Sequence, residues 1–197
     1  MNSPLPDIIL GSTSPRRKEI LSFFHIPFKQ VSPDFDEDSV PHHLDPDTYA
    51  VEIAKGKLLS LIPKHQDSLI ITADTVVYKE GLYFGKPKNE EEAAFFLNSL
   101  QGSWHSVISA VCLYYKGQIV TQAEETRVHF NFLANEEILK YISFAKWQDK
   151  AGGYSIQDSG GLLVNRIEGC FYNVLGFPIN TFRYLLKEVG IDLWQFL

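Results

Sequence analysis

The sequence predicts an α/β fold, because short strand-like segments alternate along the chain with longer segments of helical periodicity. Apolar runs at 7–11 and 68–78 are typical of buried strands. Apolar side chains recur at helical spacing over 47–62 and 90–100, which indicates helices with one buried face. We therefore expect a single α/β domain over residues 1–197.

The composition narrows the functions that this chain can serve. Its 24 acidic and 18 basic residues give a net charge of -6, which argues against a general nucleic-acid binder. Two cysteines are too few for a framework of disulfides and indicate free thiols in a reducing compartment. The segment 1–6 lacks a signal-peptide pattern, and no run approaches the ~20 apolar residues of a membrane span. We expect a cytoplasmic protein whose partners include neither nucleic acid nor a membrane.

The first strand leads into a helix whose first turn is unusual. A small-residue turn at 11–13 and the N-cap Ser14 predict a helix over 15–24. Arg16 and Arg17 fall in its first turn, where the partial positive charge of the helix end makes cations unfavourable. Free helix N–H groups and two arginines can together bind a phosphate chain. A solvated basic face is the alternative.

The later elements alternate in the same way. The predicted strands cover 27–31, 68–78, 102–115, 119–132 and 160–167, with a hairpin over 78–84, and the predicted helices cover 47–62, 90–100, 136–145 and 180–188.

Three further features carry candidate site residues. Asp74 ends an apolar run, and a carboxylate buried there needs a cation or a strong donor; the alternative is an aspartate that caps backbone N–H groups. Lys57 lies on the helix over 47–62, where a surface lysine is the usual interpretation. The small residues 151–153, followed by Tyr154 and Gln157, suit a loop that closes on a planar ligand, although an ordinary glycine turn is the alternative.

The order of these motifs resembles one known family. Ser12-x-Ser14-Pro15-Arg16-Arg17 resembles the signature of the Maf family of nucleoside triphosphate pyrophosphatases. The further matching stretches are Ala73-Asp74-Thr75-Val76-Val77, Lys86-Pro87, Gly102-x-x-His105-x-Val107, Asp149-Lys150-Ala151-Gly152 and Glu168 to Pro178. Ser109 stands where the family pattern has threonine, which is a mild departure. The resemblance covers nearly the whole chain.

The resemblance implies a fold, a reaction and a set of roles. The fold is a curved mixed β-sheet flanked by helices, with two lobes and a central cleft, as in Maf and inosine-triphosphatase-like proteins. The reaction is hydrolysis of a nucleoside triphosphate between its α- and β-phosphates. Asp74 is the general base or a metal ligand. Glu37, in the acidic loop 32–38, binds metal or water; the alternative is that this loop is an ordinary solvated turn. The phosphate-binding residues are Ser12, Arg16, Arg17, Lys57 and Lys86, helped by a divalent cation (Mg or Mn). The family also implies a homodimer. We expect His105 to be structural, because a lone histidine is more often structural than catalytic.

Gln157 suggests which base is bound. Its amide offers a donor and an acceptor, which match the N3–H and O4 edge of thymine or uracil. With Arg16 and Thr75, it favours dTTP and UTP as substrates. The alternative substrate is a methylated guanosine triphosphate. A nucleotide-sensing regulator of cell division without turnover is the alternative function, and a role in clearing modified nucleotides stays open.

Overall fold

The computed structural model describes residues 6–197 and divides the chain into two compact units. Unit 1 comprises the described residues up to Asp74 together with 109–124 and 176–197, and unit 2 comprises 75–108 and 125–175. The expectation about a signal peptide concerns a segment of which 1–5 lie outside the described residues. Among the helices of residues 6–197, none combines the length and apolar character needed to cross a bilayer.

The described residues form one sheet of seven strands. These are β1 (Ile8–Gly11), β2 (Phe28–Val31), β3 (Leu69–Lys79), β4 (Leu82–Phe84), β5 (Trp104–Tyr115), β6 (Gln118–Phe130) and β7 (Val164–Glu168). Their order is β2-β1-β3-β5-β6-β7, with β4 paired to β3. β1 runs parallel to β2 and β3, whereas β4 is antiparallel to β3 and β7 is antiparallel to β6. The sheet is therefore mixed, which confirms the α/β class; the strong curvature and the cleft stay predictions.

Six α-helices complete the described part of the chain. They are α1 (Pro15–Leu21), α2 (Pro46–His65), α3 (Glu90–Leu100), α4 (Asn135–Phe144), α5 (Phe171–Val174) and α6 (Ile179–Glu188). Short 3-10 helices cover Glu37–Ser39, Ala151–Gly153, Asp158–Leu162 and Leu193–Phe196.

In unit 1, side-chain caps fix where the helices begin. Ser14 Oγ accepts the backbone N–H of Arg17 at 3.4 Å, and Asp45 Oδ1 accepts that of Thr48 at 3.1 Å. Each cap satisfies a backbone donor that a helix start would otherwise leave unpaired. The predicted inward face of α2 is buried, namely Ala50, Ile53, Ala54, Leu58 and Leu61.

In unit 2, α3 and α4 pack on the sheet around one apolar core. Asn89 Oδ1 caps α3 by accepting the backbone N–H of Glu92 at 2.8 Å. The core joins side chains from the helices and strands, among them Phe96, Leu97, Val107, Phe130, Ile138 and Tyr154. The predicted inward face of α3 is therefore confirmed.

Three predicted boundaries differ from the structure by three residues or more. Helix α2 extends to His65, past its predicted end at 62. The first helix ends at Leu21 rather than at 24, because Phe23 and Phe24 close single three-residue turns instead of continuing the helix. The strand predicted over 160–167 begins only at Val164, since Gly160 donates its N–H to Gln157 O in a 3-10 turn. The apolar residues continue through these last two places, but local three-residue turns end the helix and delay the start of the strand.

Candidate active site

A buried lysine in unit 1 joins two of the predicted acidic residues. Lys57 Nζ lies 2.7 Å from Asp74 Oδ1 and 2.8 Å from Glu37 Oε1. The side chains of Lys57 and Asp74 are only 11% and 9% exposed, whereas that of Glu37 is 41% exposed. The surface-lysine interpretation of Lys57 was therefore wrong, and Asp74 has the cationic partner that a buried carboxylate requires.

The register between α2 and β3 explains this pairing. Thr72 Oγ1 donates a 2.7 Å hydrogen bond to the carbonyl oxygen of Ala54. Lys57 lies one helical turn beyond Ala54, on the same face of α2. Asp74 lies two residues beyond Thr72, on the same face of β3. One contact between helix and strand therefore brings the ammonium and the carboxylate together.

Burial dominates the electrostatics of this cluster. It raises the pKa of Asp74 above its ordinary value, although the nearby charges of Lys57 and Arg17 act in the opposite direction. Burial also lowers the pKa of Arg17, and Asp74 and Glu37 oppose that shift. The carboxyl of Asp74 is therefore a better proton acceptor than an exposed aspartate while it still lies among cations.

The remaining predicted residues of unit 1 lie around the turn between β1 and α1. Arg17 Nε donates a 2.9 Å hydrogen bond to the carbonyl oxygen of Gly176. Ser12 is buried, and its Oγ accepts the N–H of Ser14 at 3.1 Å. Arg16 is half-buried. Because Arg17 has electrostatic interactions with Asp74 and Glu37, the turn and the carboxylate cluster form one charged region of unit 1.

Three predicted residues belong to unit 2. Thr75 is the next residue after Asp74 along β3 and is half-buried, and Lys86 is exposed. Gln157 is half-buried in the loop 150–160, where its backbone N–H donates to Ser155 Oγ at 3.1 Å. Within residues 6–197, the side-chain amide of Gln157 makes no hydrogen bond. Gly152 N donates to Gly85 O at 3.0 Å, so the loop contacts the segment just before Lys86.

A comparison with models of known protein families shows to which family this chain belongs. The family model described as Maf-like protein matches residues 7–189 of this chain. This chain belongs to the Maf family. The resemblance predicted from the sequence motifs is therefore confirmed.

Several curated relatives are similar to the chain over almost their whole length. A protein named dTTP/UTP pyrophosphatase from Chlamydia felis is 46% identical over 193 residues, which cover 98% of each chain. A protein of the same name from Caldicellulosiruptor bescii is 40% identical and covers 95% of this chain and 97% of its own. A nucleoside triphosphate pyrophosphatase from Chlamydia muridarum is 42% identical over 96% of this chain and 97% of its own. A solved HAM1 protein from Coxiella burnetii overlaps 63% of this chain and 73% of its own, at TM-score 0.40 and 15% identity, which is too loose an overlap to carry an argument.

The two carboxylates fit a shared cation. Both accept hydrogen bonds from one ammonium group, so Glu37 and Asp74 already share a positive partner. Mg²⁺ is commonly held by one or two carboxylates together with substrate phosphates. Residues 6–197 contain no group of three or more His, Cys, Asp or Glu side chains that could hold a metal without such help. The donor set therefore fits a metal that arrives with a triphosphate.

Sequence reasoning missed two contacts in this Maf chain. Nothing in the sequence indicated that Arg17 binds the carbonyl of Gly176, because any residue can present a carbonyl oxygen. His105 was expected to be structural, and it is buried with Nε2 2.7 Å from the hydroxyl of Tyr154. That pairing needed tertiary coordinates, since 49 residues separate the two side chains.

Proposed function

We propose that this chain is a nucleoside triphosphate pyrophosphatase that hydrolyses dTTP and UTP to the monophosphate and pyrophosphate. The names of relatives that are 40–46% identical over nearly the full length support this activity. The observation that carries it is the buried carboxylate of Asp74, held by Lys57 and influenced by the charge of Arg17. This combination suits a proton acceptor that works beside a polyanion.

In this proposal Asp74 activates the attacking water. Lys57 occupies Oδ1, and Oδ2 makes no hydrogen bond within residues 6–197. The water oxygen forms a bond to the α-phosphorus while its proton passes to Asp74. The bond between the α-phosphorus and the bridging oxygen breaks, and its electron pair leaves with pyrophosphate. The raised pKa of Asp74 brings its basicity closer to neutral pH, where a general base works best.

The cations neutralise the charge that moves to the leaving group. We assign this role to Arg16, Arg17 and Lys86, with Ser12 at the turn. The hydrogen bond from Arg17 Nε to the carbonyl oxygen of Gly176 holds this side chain beside the turn between β1 and α1. Fixed cations aimed at developing charge are among the largest contributions to phosphoryl-transfer catalysis.

A divalent cation, Mg²⁺ or Mn²⁺, is part of the proposal. Glu37 and Asp74 are the residues that would hold it. When bound, it would supply Lewis-acid stabilisation of the phosphate oxygens. Lys57 keeps the two carboxylates paired with a positive charge before the metal arrives with the substrate.

Gln157 sets the base preference in this proposal, together with Arg16 and Thr75. Its amide has no hydrogen-bond partner among residues 6–197, so its N–H₂ and C=O are available to O4 and N3–H of thymine or uracil. Guanine has the same acceptor–donor pair at O6 and N1–H, but it carries the N2–H₂ donor where thymine and uracil have the O2 acceptor, so the bases differ at the position beside that pair.

We also propose a cytoplasmic homodimer. A reducing compartment fits the two free thiols, Cys112 and Cys170. Light scattering of the purified protein tests the dimer.

A panel of nucleoside triphosphates tests the proposed function. Initial rates with Mg²⁺ and with Mn²⁺ are measured on dTTP, UTP, CTP, ATP, GTP and a methylated guanosine triphosphate. The proposal expects kcat/KM for dTTP and UTP to exceed the others by about tenfold, as one discriminating hydrogen bond allows. Equal rates on guanosine and thymidine triphosphates would reject the base assignment. Tight binding without turnover would favour the regulator.

A further inference from the structure

A buried polar contact in unit 2 is not used by the chemistry above. His105 lies in β5 and is 3% exposed, and its Nε2 is 2.7 Å from the hydroxyl oxygen of Tyr154. The other ring nitrogen, Nδ1, has no partner among residues 6–197. Buried polar atoms are nearly always paired, so a histidine that leaves one nitrogen unpaired needs an explanation.

The contact joins two neutral groups. Burial lowers the pKa of His105 to about 3, so the imidazole is uncharged near neutral pH. Burial also raises the pKa of Tyr154, whose hydroxyl therefore keeps its proton. The ring of Tyr154 packs edge-on against Phe130 at 4.7 Å between centroids. The ring is thus held by packing on its sides and by one directional hydrogen bond at its tip.

Tyr154 belongs to the loop 150–160 that carries Gln157. The next residue, Ser155, donates its N–H to the hydroxyl of Tyr141 at 3.3 Å, and its Oγ accepts the N–H of Gln157 at 3.1 Å. A short path of contacts therefore leads from His105 through Tyr154 and Ser155 to the backbone of Gln157.

Two glycines show that the backbone of this loop is tightly packed. Gly152 has a φ of +72°, and a Cβ there would lie 3.1 Å from the ring of Tyr154 and 3.2 Å from Val77. A Cβ on Gly160 would lie 1.6 Å from the carbonyl oxygen of Ser155. The loop backbone is therefore packed directly against the ring that His105 holds, and a shift of that ring has to move the loop.

We propose that His105 is a positioning residue for base selectivity, because its hydrogen bond to Tyr154 fixes the loop that presents Gln157 to the base. This inference rests on the proposed function and adds a residue to it. An apolar side chain at position 105 would fill the same space without an unpaired nitrogen. Unlike such a side chain, the imidazole makes a directional hydrogen bond, which orients the ring of Tyr154. The orientation of Tyr154 matters because it lies three positions before Gln157.

Three variants test the proposal by base selectivity. Tyr154→Phe removes only the hydroxyl, His105→Phe removes the partner nitrogen, and His105→Gln keeps a polar group near the position of Nε2. The ratio of kcat/KM for dTTP to kcat/KM for dGTP should fall about tenfold in the two phenylalanine variants, chiefly through a higher KM for dTTP, as expected for one lost buried hydrogen bond. His105→Gln should restore the ratio to within about twofold of wild type, since the amide can replace the bond.

A control separates positioning from loss of stability. Ile8→Val removes one buried methyl group in β1 of unit 1, whereas the loop 150–160 belongs to unit 2. It should lower Tm without changing the selectivity ratio. If the ratio falls equally in Ile8→Val, or if it stays at the wild-type value in Tyr154→Phe, His105 is a packing residue only.

Hydrogen–deuterium exchange gives a readout that does not depend on turnover. Peptides within 150–160 should exchange faster in Tyr154→Phe than in wild type or Ile8→Val, and unchanged protection would overturn the inference. If wild type hydrolyses no nucleotide, the proposed function fails, and this exchange experiment still decides whether the hydrogen bond holds the loop. If His105→Phe does not fold, Tyr154→Phe supplies both measurements.

Discussion

Replacing Lys57 by methionine should destabilise the protein strongly and in a pH-dependent way. The substitution keeps the length of the side chain but removes the charge that pairs with Asp74 at 2.7 Å and with Glu37 at 2.8 Å. Asp74 is 9% exposed, so its carboxylate would be left buried without this partner. Breaking a buried ion pair from one side typically costs about 3–5 kcal/mol. The contact with Glu37 adds little, because that side chain is 41% exposed and solvent screens it.

The expected change is large enough to measure by simple unfolding. For a chain of 197 residues, a loss of about 3–5 kcal/mol corresponds to a fall in Tm of about 6–20 °C. Asp74→Asn should cost less, because it removes the buried negative charge and leaves Lys57 paired with Glu37. In the double variant the two effects should not add, and we expect a coupling of about 2 kcal/mol.

The sign of the pH dependence follows from the direction of the pKa shift. The folded-state pKa of Asp74 is already raised by burial, and loss of Lys57 raises it further. A carboxyl whose pKa is raised on folding contributes stability at low pH that is lost as pH rises through the folded-state pKa. Urea unfolding of Lys57→Met should therefore show a smaller deficit at pH 5 than at pH 8. A deficit independent of pH, together with additive effects within about 0.5 kcal/mol in the double variant, would refute this reasoning.

Four further predictions concern single side chains. Gln157→Glu should lower kcat/KM for dTTP and UTP by about tenfold while kcat/KM for dGTP changes less, because a carboxylate cannot donate to O4; equal losses on all three would contradict it. Lys86→Ala should raise KM for dTTP and leave Tm unchanged, since the side chain is exposed and such changes are usually within about 0.5 kcal/mol; a lower Tm with unchanged kinetics would make this lysine structural. In wild type, kcat/KM should fall on acidification with a midpoint above the ordinary aspartate value of 3.8, because Asp74 must be ionised to accept a proton; a midpoint at or below that value would argue against it. The pKa of His105 is lowered to about 3 in the folded state, so the stability that the neutral imidazole contributes above pH 6.5 is lost as pH falls. Between pH 7 and pH 4, the free energy of unfolding of His105→Gln, measured in urea, should therefore fall by about 3 kcal/mol less than that of wild type. Parallel pH dependences would show that the imidazole is not held neutral.

The regular elements were predictable because their signals are local. Helical spacing fixed the buried face of α2, and the cap at Asn89 marked the start of α3. The end of the first helix and the start of β7 were not predictable, because each depends on turns that compete with an unbroken apolar pattern. The short helix α5 was also missed, since four residues carry too little periodicity to detect.

The candidate site was predictable in its residue types but not in its pairings. The position of Asp74 at the polar end of an apolar run required a cation or a strong donor, and the sequence offered several cations. Only the register between Thr72 and Ala54 shows that this cation is Lys57. The partner of His105 was beyond sequence reasoning for the same reason, because a hydrogen bond over 49 residues leaves no local pattern.

The most direct test of the central claim is to identify the products formed from dTTP by wild type and by Asp74→Asn. Phosphorus NMR with Mg²⁺ present distinguishes cleavage between the α- and β-phosphates from loss of the terminal phosphate. The account predicts dTMP and pyrophosphate from wild type, and a rate about 10²–10⁴-fold lower from Asp74→Asn, the usual contribution of a general base. Formation of dTDP and phosphate, or an Asp74→Asn variant that keeps more than about a tenth of the wild-type rate, would contradict it.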